Sequence, residues 1–528
     1  MTLSPVLIAG AWRPAQAPVG DFAAVNPATK VALPDVYPVS GWPEVEEALL
    51  AAQEAVAALR TMPRDALAAF LEQYAANIEL RRDELVEMAH RETALPREPR
   101  LRSVELPRTV DQLRQAAAAV RDRSWCHATL DVARNIRSMY APLGGAVAVF
   151  GPNNFPFAFN SAAGGDFAAA IAAGNPVIAK ANTGHPGTTR LFAEAAFEAV
   201  QQAGLPPALV QLLYRIPSDA GLRLVGHPLI GATGFTGSRA AGLQLKEAAD
   251  RAGKPIYLEL SSVNPIFILP GVLRERLTAM ADELFASCSM GVGQFCTKPG
   301  FVVLLQDAAS ETFLEAVRER FDGPSGVLLG ASGVRTIAQA VATMQQHGAA
   351  LLTGGAEVAG EGYRYANTLL RVSGDVYLEA PHALQIEAFG VVCLVVLARD
   401  AAQMQAIAHS LEGNLTAAFY THSQGEDDAL YDVLAPIVRD RVGRLLNDKM
   451  PTGVAVSPAM NHGGPYPATG HPGFTAVGLP AAMLRFAALH SYDNVRPHRL
   501  PPELQDQNPT GTMWRFINGM WTQANVQS

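Results

Sequence analysis

Residues 146–180, AVAVF-GPNNFPFAFN-SAAGGDFAAA-IAAGNPVIAK, decide the fold class of this chain. An apolar run, a turn rich in Gly, Pro and Asn, an Ala-rich helical stretch and a second apolar run follow one another. A strand buried on both faces of a parallel sheet reads as a continuous apolar run, and a helix connects it to the next strand. The segment therefore predicts one unit of a parallel α/β sheet.

The same alternation continues along the chain. Apolar runs that predict strands of a first sheet lie at 146–150, 175–179, 210–213, 229–235 and 255–260. A second series, at 300–305, 390–397, 417–421 and 444–447, predicts another α/β domain from about residue 260 to about residue 460. Helical periodicity dominates residues 43–122. Strands that alternate with helices indicate doubly wound sheets with helices on both faces.

Composition and charge narrow the class of function. The chain has 528 residues and a formal net charge of −8, and it contains no basic run. It is too long for a single hydrophobic core, and it offers no electrostatic attraction to nucleic acid or to an anionic membrane. The N-terminus lacks a basic segment followed by a long apolar run, so we expect no secretion signal and no membrane span. We predict a cytoplasmic protein.

The chain has four cysteines, Cys126, Cys288, Cys296 and Cys393. Their spacing is not that of a zinc site, so we predict no metal, and we expect the thiols to be reduced. Cys296 differs from the others because it follows a turn that contains Gly291 and Gly293. Backbone N–H groups in such a turn can stabilise a thiolate and the oxyanion that forms when it attacks a carbonyl. For this segment alone, a buried structural cysteine is the alternative.

Two further segments carry polar groups at the ends of apolar runs. Glu259 interrupts the run 255–260, where a carboxylate suits a general base that takes a proton from water. An ordinary ion pair with a surface lysine is the alternative. Asn154 follows the run 146–150, and its side-chain amide can donate to a developing oxyanion. Asparagine also serves Pro/Gly turns without any catalytic role, so neither segment is decisive by itself.

Taken in order, eight segments resemble the aldehyde dehydrogenase superfamily over almost the whole chain. They lie at 8–12, 26–29, 154–156, 173–180, 234–238, 258–260, 293–296 and 387–390. The resemblance implies an α/β fold with two doubly wound parallel-sheet domains and a small β oligomerisation flap. The implied divisions are a Rossmann-like cofactor-binding domain (1–125 and 141–258), the flap (126–140 and 480–500), a catalytic domain (259–479) and a C-terminal tail (501–528). A homodimer or homotetramer is then expected.

The resemblance also implies an NAD(P)-dependent oxidation of an aldehyde to a carboxylic acid through a cysteine thioester. In that reaction Cys296 is the nucleophile, Glu259 is the general base for deacylation and Asn154 is the oxyanion donor. The residues implied for the cofactor are Lys180 and Ser238 at the adenosine ribose and pyrophosphate, Gly237 beside them, and Glu387 and Phe389 at the nicotinamide ribose and ring.

Departures from the common family pattern narrow the choice among the branches of the superfamily. Asn153 stands where most members have Trp, and Ser261 and Ser262 stand where they have two glycines. These departures are similar to the branch that holds ketoglutaric semialdehyde dehydrogenases and an NADP-dependent fatty aldehyde dehydrogenase. That branch has a histidine where His462 stands, and the resemblance implies that it favours the thiolate of the nucleophile. A surface histidine in a Gly/Pro loop is the alternative.

The cofactor preference depends on the loop after Lys180. The standard GxGxxG dinucleotide motif is absent, and the family instead binds the pyrophosphate at the start of the helix after Ser238. NAD-preferring relatives commonly have Glu three positions after the lysine, where this chain has Thr183. A neutral hydroxyl removes the repulsion of a 2′-phosphate, and Arg215 could add a charge-assisted hydrogen bond. We predict NADP as the preferred cofactor, with NAD possible.

The substrate is the least determined feature. The predicted pocket residues are Phe157, Phe159, Phe295, Thr297 and Lys298, and Arg108 joins Lys298 as a candidate partner for a substrate carboxylate. Oxidation of 2,5-dioxopentanoate, ketoglutaric semialdehyde, to 2-oxoglutarate is the leading expectation, and oxidation of a medium- or long-chain fatty aldehyde is the alternative. A CoA-acylating enzyme is disfavoured by Glu259, which serves hydrolysis. A non-catalytic structural relative is disfavoured because the nucleophile, the base and the oxyanion donor are all present.

Overall fold

A computed structural model describes residues 2–473 and 475–527. The strands are β1 (Val6–Ile8), β2 (Ala11–Arg13), β3 (Pro18–Asn26), β4 (Val31–Ser40), β5 (Thr129–Asp131), β6 (Ile136–Pro142), β7 (Ala146–Phe150), β8 (Val177–Lys180), β9 (Val210–Leu213), β10 (Ile230–Thr236), β11 (Ile256–Glu259), β12 (Ile266–Ile268), β13 (Phe301–Leu305), β14 (Ala350–Thr353), β15 (Thr368–Ser373), β16 (Val392–Ala398), β17 (Asn414–Tyr420), β18 (Val442–Asn447), β19 (Ala487–Asp493), β20 (Arg515–Ile517) and β21 (Met520–Thr522).

The α-helices are α1 (Trp42–Leu59), α2 (Arg64–Leu80), α3 (Arg82–Thr93), α4 (Leu106–Asp122), α5 (Gly165–Ala172), α6 (Pro186–Gln202), α7 (Ser218–Val225), α8 (Arg239–Arg251), α9 (Pro270–Ser289), α10 (Ala308–Phe321), α11 (Ala331–Gln346), α12 (Gly374–Glu379), α13 (Pro381–Leu384), α14 (Ala401–His409) and α15 (Asp428–Arg439). None of the helices in the described residues is both long enough and apolar enough to cross a membrane.

The first sheet has the strand order β11-β10-β7-β8-β9-β1-β2. The strands from β11 to β9 run parallel, and β1 and β2 are added antiparallel at one edge. Strand β7 is buried along its whole length because it lies inside the sheet and the helices α1 and α5 pack against it. The five runs predicted for this sheet coincide with β7 to β11. The N-terminal strands β1 to β4 were not predicted, because helices were expected to come first.

The second sheet has the order β14-β15-β16-β13-β12-β17-β18 and is parallel except for the edge strand β14. Four predicted runs coincide with β13, β16, β17 and β18. Strands β12, β14 and β15 were missed. Strand β12 is only three residues long, β14 is a four-residue edge strand, and β15 carries Arg371 within its apolar run. Two parallel α/β sheets confirm the predicted fold class.

The third sheet has the order β19-β6-β5-β20-β21. Strands β6 and β19 pair antiparallel, with Met139 opposite His490, in the two segments expected to form the flap. The segment predicted as a C-terminal tail also contributes, because β20 pairs with β5. Buried Arg137 joins the two parts: it donates to the carbonyl of Leu504 and, at 2.7 Å, to Asp506. The domain boundaries and the oligomerising role of this sheet stay predictions.

Candidate active site

The candidate site lies where the carboxyl ends of neighbouring strands of the first sheet meet. Strand β10 ends at Thr236 and β11 ends at Glu259, and the sheet register pairs these two residues. The neighbouring strand β7 ends at Phe150, and the loop after it carries Asn154 to the same edge. Ligands of open α/β sheets bind at this edge, so the topology alone brings the predicted base and the predicted oxyanion donor together.

A left-handed turn positions Cys296. Gly291 and Gly293 have φ angles of 57° and 70°, which side-chain-bearing residues rarely adopt. At Gly293 a Cβ would lie 2.2 Å from the carbonyl carbon of Gly390, so only glycine fits there. The side-chain amide of Asn264 donates to the carbonyl oxygen of Cys296 at 2.9 Å and holds the end of the turn. The glycine turn before Cys296 and the hydrogen bond from Asn264 thus both hold the backbone of Cys296 in place.

The nucleophile, the histidine and the base form one contact cluster. The Sγ of Cys296 lies 3.5 Å from the Nε2 of His462, and the same nitrogen lies 2.7 Å from the Oε1 of Glu259. His462 and Glu259 are buried, whereas Cys296 remains partly exposed. The backbone N–H of His462 donates to the Oγ1 of Thr475 at 2.9 Å, and the ring packs edge-on against Phe159. His462 is therefore a buried part of the site and not a surface loop residue.

The sulfur is held as a thiol in this arrangement. Burial and the neighbouring carboxylate of Glu259 raise the pKa of Cys296 well above its ordinary value, and the nearby guanidinium of Arg108 only partly opposes them. This differs from the stabilised thiolate expected of the turn, because burial and then the negative charge of Glu259 outweigh the turn in their effect on the pKa of Cys296. The thiolate must therefore be generated by proton transfer at the time of reaction, and His462 lies within reach of that proton.

Asn154 is buried, and its amide nitrogen faces the Cys296 loop. One N–H of the Asn154 amide donates to the carbonyl oxygen of Gln294 at 2.9 Å. A primary amide has a second N–H, which remains for an oxyanion. The guanidinium of Arg100 donates to the backbone carbonyl of Asn154 at 2.9 Å, which holds the loop in position.

A cavity of ≈ 680 Å³ opens beside the cluster, within the usual range for a cofactor site. The predicted residues that line it are Asn154, Lys180, Gly237, Ser238, Glu259, Cys296, Glu387 and Phe389. Residues 237 and 238 lead into α8, where Ser238 is the N-cap and accepts from the N–H of Ala241. Helix N-terminal N–H groups suit a pyrophosphate, so these residues fit a dinucleotide with its reactive end at Cys296.

Lys180 lines this cavity, and Arg215 lies close enough to act on its charge. Burial and the neighbouring positive charge of Arg215 lower the pKa of Lys180 to about 8. Thr183 is exposed, whereas the neighbouring Asn182 lines the cavity. The structure therefore gathers positive charge near Lys180, and Thr183 adds no carboxylate to offset it.

Three residues predicted for the substrate pocket are buried and make contacts within the protein. Phe157 is fully buried and packs edge-on against Phe192. The hydroxyl of Thr297 accepts from the N–H of Gly453 at 3.1 Å. Lys298 is also buried, and its Nζ donates to two backbone carbonyls at 2.7 and 3.2 Å. The ammonium group therefore has hydrogen-bond partners without a substrate. These contacts favour a structural role for the three side chains, and their place in the substrate pocket stays a prediction.

The other predicted pocket residues do form a cluster near Cys296. Phe155 packs edge-on against Phe159 and Phe295, at ring-centroid distances of 5.3 and 5.0 Å. The guanidinium of Arg108 lies 5.8 and 5.5 Å from the ring centroids of Phe155 and Phe159. The Nε and one Nη of Arg108 are buried, and no hydrogen-bond partner is present for them among the described residues. An anion at this place would satisfy them.

Several residues of the site were missed by sequence reasoning. Arg100 covers the ring of Phe155 at 4.3 Å and forms an ion pair with buried Glu105. The far wall of the cavity is contributed by Ser332, Thr336 and Gln339 of α11. These residues carry no sequence signal, because ordinary polar and charged residues on helices are typical of solvated faces and only the folded chain turns them inward.

Comparison with known proteins supports this geometry. The model of the aldehyde dehydrogenase family matches residues 12–434. An alpha-ketoglutaric semialdehyde dehydrogenase 2 of Azospirillum brasilense is 38% identical over 485 residues, which cover 90% of this chain and 91% of the relative. An alpha-ketoglutaric semialdehyde dehydrogenase of Acinetobacter baylyi is 35% identical over 507 residues, which cover 91% of this chain and 92% of the relative.

Solved structures agree on the fold. A 1-pyrroline-5-carboxylate dehydrogenase from Thermus with bound NAD superposes with a TM-score of 0.78 at 26% identity and covers 93% of this chain and 92% of its own. The lactaldehyde dehydrogenase of Escherichia coli superposes with a TM-score of 0.78 at 22% identity and covers 93% of this chain and 98% of its own.

Proposed function

The chain belongs to the aldehyde dehydrogenase family, as the sequence predicted, and on this premise we propose that it oxidises 2,5-dioxopentanoate to 2-oxoglutarate with NADP as the preferred cofactor. It is an oxidoreductase that acts on aldehydes, and the family uses NAD or NADP. The substrate, the preference for NADP and the role of each residue are our proposals. The observation that carries the substrate proposal is the half-buried guanidinium of Arg108 in the aromatic cluster beside Cys296, two of whose nitrogens find no partner among the described residues.

The first step is the activation of the nucleophile. With His462 in the neutral tautomer protonated at Nδ1, the Cys296 thiol gives its proton to Nε2, 3.5 Å away, and the imidazolium that forms donates this new N–H to the Glu259 carboxylate at 2.7 Å. The thiolate then attacks the aldehyde carbon and forms a thiohemiacetal. The free N–H of the Asn154 amide donates to the oxyanion.

The second step forms and then hydrolyses the thioester. When bound, the nicotinamide cofactor accepts the hydride of the former aldehyde carbon. Glu259 then takes a proton from water, and the attack of that water on the thioester releases the carboxylic acid and the Cys296 sulfur. Glu259 thus first accepts a hydrogen bond from the His462 imidazolium and later takes a proton from water.

The substrate proposal follows from charge. The side chain of Arg108 carries a positive charge close enough to Cys296 to lower the pKa of its thiol. In 2,5-dioxopentanoate a short chain separates the aldehyde from a carboxylate, which can pair with a guanidinium in a charge-assisted hydrogen bond. Two named relatives at 38% and 35% identity act on this substrate by their descriptions. The aromatic cluster favours the alternative substrate, an apolar aldehyde. Such an aldehyde, however, offers no hydrogen-bond partner to the two buried nitrogens of Arg108.

The test compares 2,5-dioxopentanoate with hexanal in the wild type and in Arg108→Met. Methionine keeps an unbranched apolar stem but removes the charge. Loss of a charged hydrogen bond of roughly 1.5–3 kcal/mol corresponds to about 10- to 100-fold in kcat/KM for the dioxo acid. We expect hexanal oxidation to change by less than about threefold. Arg114→Met, on the same helix but paired with Glu79 on the surface, is the matched control.

A wild type that prefers hexanal, or an equal loss with both aldehydes in Arg108→Met, contradicts the substrate proposal. The first outcome favours the fatty aldehyde alternative. The second assigns Arg108 to the framework of the site.

The NADP proposal rests on the positive charge gathered near Lys180 and on the neutral Thr183. We expect a higher kcat/KM with NADP than with NAD, and we expect Thr183→Glu to reverse the order. Like charges about 4 Å apart repel by roughly 4 kcal/mol at an effective dielectric of about 20, and a third of that is about tenfold. Thr183→Gln is the neutral control. A Glu variant with an unchanged ratio places Thr183 outside the 2′-phosphate site.

A further inference from the structure

The same three side chains that form the catalytic cluster have the chemistry of a metal site. Cys296, His462 and Glu259 offer sulfur, imidazole nitrogen and carboxylate oxygen, and their ligand atoms all lie within 4.8 Å of one another. Thiolate, imidazole and carboxylate are the protein ligands of Zn²⁺. The sequence predicted no metal site, because the three side chains are far apart along the chain and the cysteines show no zinc spacing.

The distances are close to those that zinc requires. With tetrahedral angles and bonds of about 2.3 Å to sulfur and about 2.0–2.2 Å to nitrogen and oxygen, neighbouring ligand atoms lie about 3.4–3.6 Å apart. The distance from Sγ of Cys296 to Nε2 of His462 is already 3.5 Å. The Oε1 of Glu259, at 2.7 Å from Nε2, must move away by less than an ångström, as about 0.7 Å suffices for the tetrahedral separation.

A second observation points to a ligand at this place. Glu259 is only 2% exposed, and its Oε2 accepts no hydrogen bond from the described residues. A buried carboxylate oxygen without a partner is costly, and coordination of a cation satisfies it. Rotation of the carboxylate can bring Oε2 to the ion, which gives this oxygen the partner that it lacks among the described residues.

We propose that Cys296, His462 and Glu259 bind one Zn²⁺ ion, and that this ion reversibly inhibits the enzyme. On binding, the S–H bond of Cys296 breaks, its proton goes to the buffer, and the sulfur lone pair forms the bond to zinc. No oxidation or reduction takes place. The metal removes the nucleophile, its proton acceptor and the general base together, and removal of the metal by a chelator restores all three.

The framework holds these ligands in place before any ion arrives. Asn264 anchors the carbonyl of Cys296, Thr475 anchors the backbone of His462, and Glu259 ends the buried strand β11. Preorganised ligands lose little freedom on coordination, which favours tight binding. Three protein ligands leave one tetrahedral position for water, as in an open zinc site.

The test titrates the wild-type protein with ZnCl₂ by isothermal titration calorimetry and follows dehydrogenase activity in parallel. We expect one Zn²⁺ per chain, loss of activity with the same midpoint, and full recovery with EDTA. Titration with CoCl₂ should produce an ultraviolet sulfur-to-cobalt charge-transfer band, which reports coordination by Cys296 without any need for activity. Absence of one-to-one binding, or binding of cobalt without the sulfur band, overturns the proposal.

Variants assign the ligands. His462→Asn and Cys296→Ser should each weaken zinc binding by about tenfold or more in calorimetry, since each removes a direct ligand. His471→Asn is the matched control, because this histidine lies in the same loop but faces Tyr257. We expect the control to bind zinc like the wild type. Thermal melting curves establish that each variant is folded, and unchanged zinc affinity in a folded His462→Asn variant contradicts the assigned site.

Discussion

At the scale of single residues, one ring nitrogen of His462 is shared by the nucleophile and the base. The Nε2 of His462 lies 3.5 Å from Cys296 and 2.7 Å from Glu259. It can accept the thiol proton and then donate the N–H so formed in a hydrogen bond to the carboxylate, so the two stages of catalysis are coupled through a single atom. Because the pKa of Cys296 is raised, the enzyme depends on this transfer more than an enzyme with a resting thiolate does.

Replacement of the nucleophile separates Cys296 from the other thiols. We expect Cys296→Ala to lower kcat by at least about 10³-fold, because the covalent step is lost. Cys288 is the control: it is buried, and its S–H donates to the carbonyl of Pro299 at 3.2 Å. Cys288→Ala should cost stability but leave kcat within about threefold. Steady-state kinetics and thermal melting measure both effects, and an equal loss of kcat in both variants means that the nucleophile was misassigned.

Replacement of the base separates the two stages. Glu259→Gln keeps the shape of the side chain but cannot take a proton from water. We expect a burst of reduced cofactor close to one equivalent per chain, followed by a steady rate about 10²- to 10⁴-fold lower than that of the wild type. Stopped-flow absorbance measures both phases. A variant without a burst would show that Glu259 is already required to activate Cys296 through His462.

At the scale of elements, the first N–H groups of helix α6 donate to a buried carboxylate. The oxygens of Glu92, which lies on α3, accept from the N–H groups of Gly187 and Thr188 and from the hydroxyl of Thr188, at 2.7 to 2.9 Å. Burial raises the pKa of Glu92 to about 7, although these hydrogen bonds act in the opposite direction. The start of α6 follows the loop after Lys180, so this carboxylate supports the cofactor end of the sheet.

The pKa of Glu92 predicts a pH-dependent stability. A folded-state pKa above the unfolded value means that the folded protein holds the proton more tightly, so the contribution is complete below about pH 4.5 and is lost as the pH rises through about 7. Up to about 3 kcal/mol of unfolding free energy depends on this group. In Glu92→Gln the pH dependence of this contribution should vanish, so the wild type should lose stability relative to the variant as the pH rises. Urea unfolding at pH 5, 6, 7 and 8 measures it, and a constant difference would contradict the assignment.

At the scale of the whole molecule, the third sheet exposes apolar side chains on its edge strands β19 and β21. Strand β19 is an edge strand of this sheet, and Leu489 on it is 59% exposed. Exposed strand edges pair with other chains unless they are protected, so this edge supports the predicted homodimer or homotetramer. The oligomeric state and the cytoplasmic location remain predictions.

A charge on this edge tests the oligomer. We expect the wild type to have a native mass of two or four chains, and Leu489→Lys to shift it towards smaller species, because lysine on an edge strand opposes pairing. Light scattering coupled to size exclusion measures the mass. Val433→Lys, at an exposed position on α15, is the control and should keep the wild-type mass. A wild type that is monomeric, or a Leu489→Lys variant of unchanged mass, would place the interface elsewhere or exclude it.

The sequence by itself determined the fold class and, through the family resemblance, predicted the reacting groups. Buried parallel strands must be apolar along their whole length, so β7 to β11 were visible as apolar runs. Turns with positive φ require glycine, so the turn before Cys296 was visible as well. Glu259 and Asn154 were visible because polar groups at the ends of such strands are unusual.

Only the tertiary structure decided which side chains meet. His462 is separated from Cys296 by 166 positions, and its burial beside the sulfur follows from the packing of a loop that has no periodic signal. Lys298 and Arg108 were equal candidates in sequence. The fold gives Lys298 two backbone carbonyls and leaves two nitrogens of Arg108 without a partner among the described residues. Local sequence sets backbone conformation and burial tendency, but hydrogen-bond partners between distant segments exist only after the chain has packed.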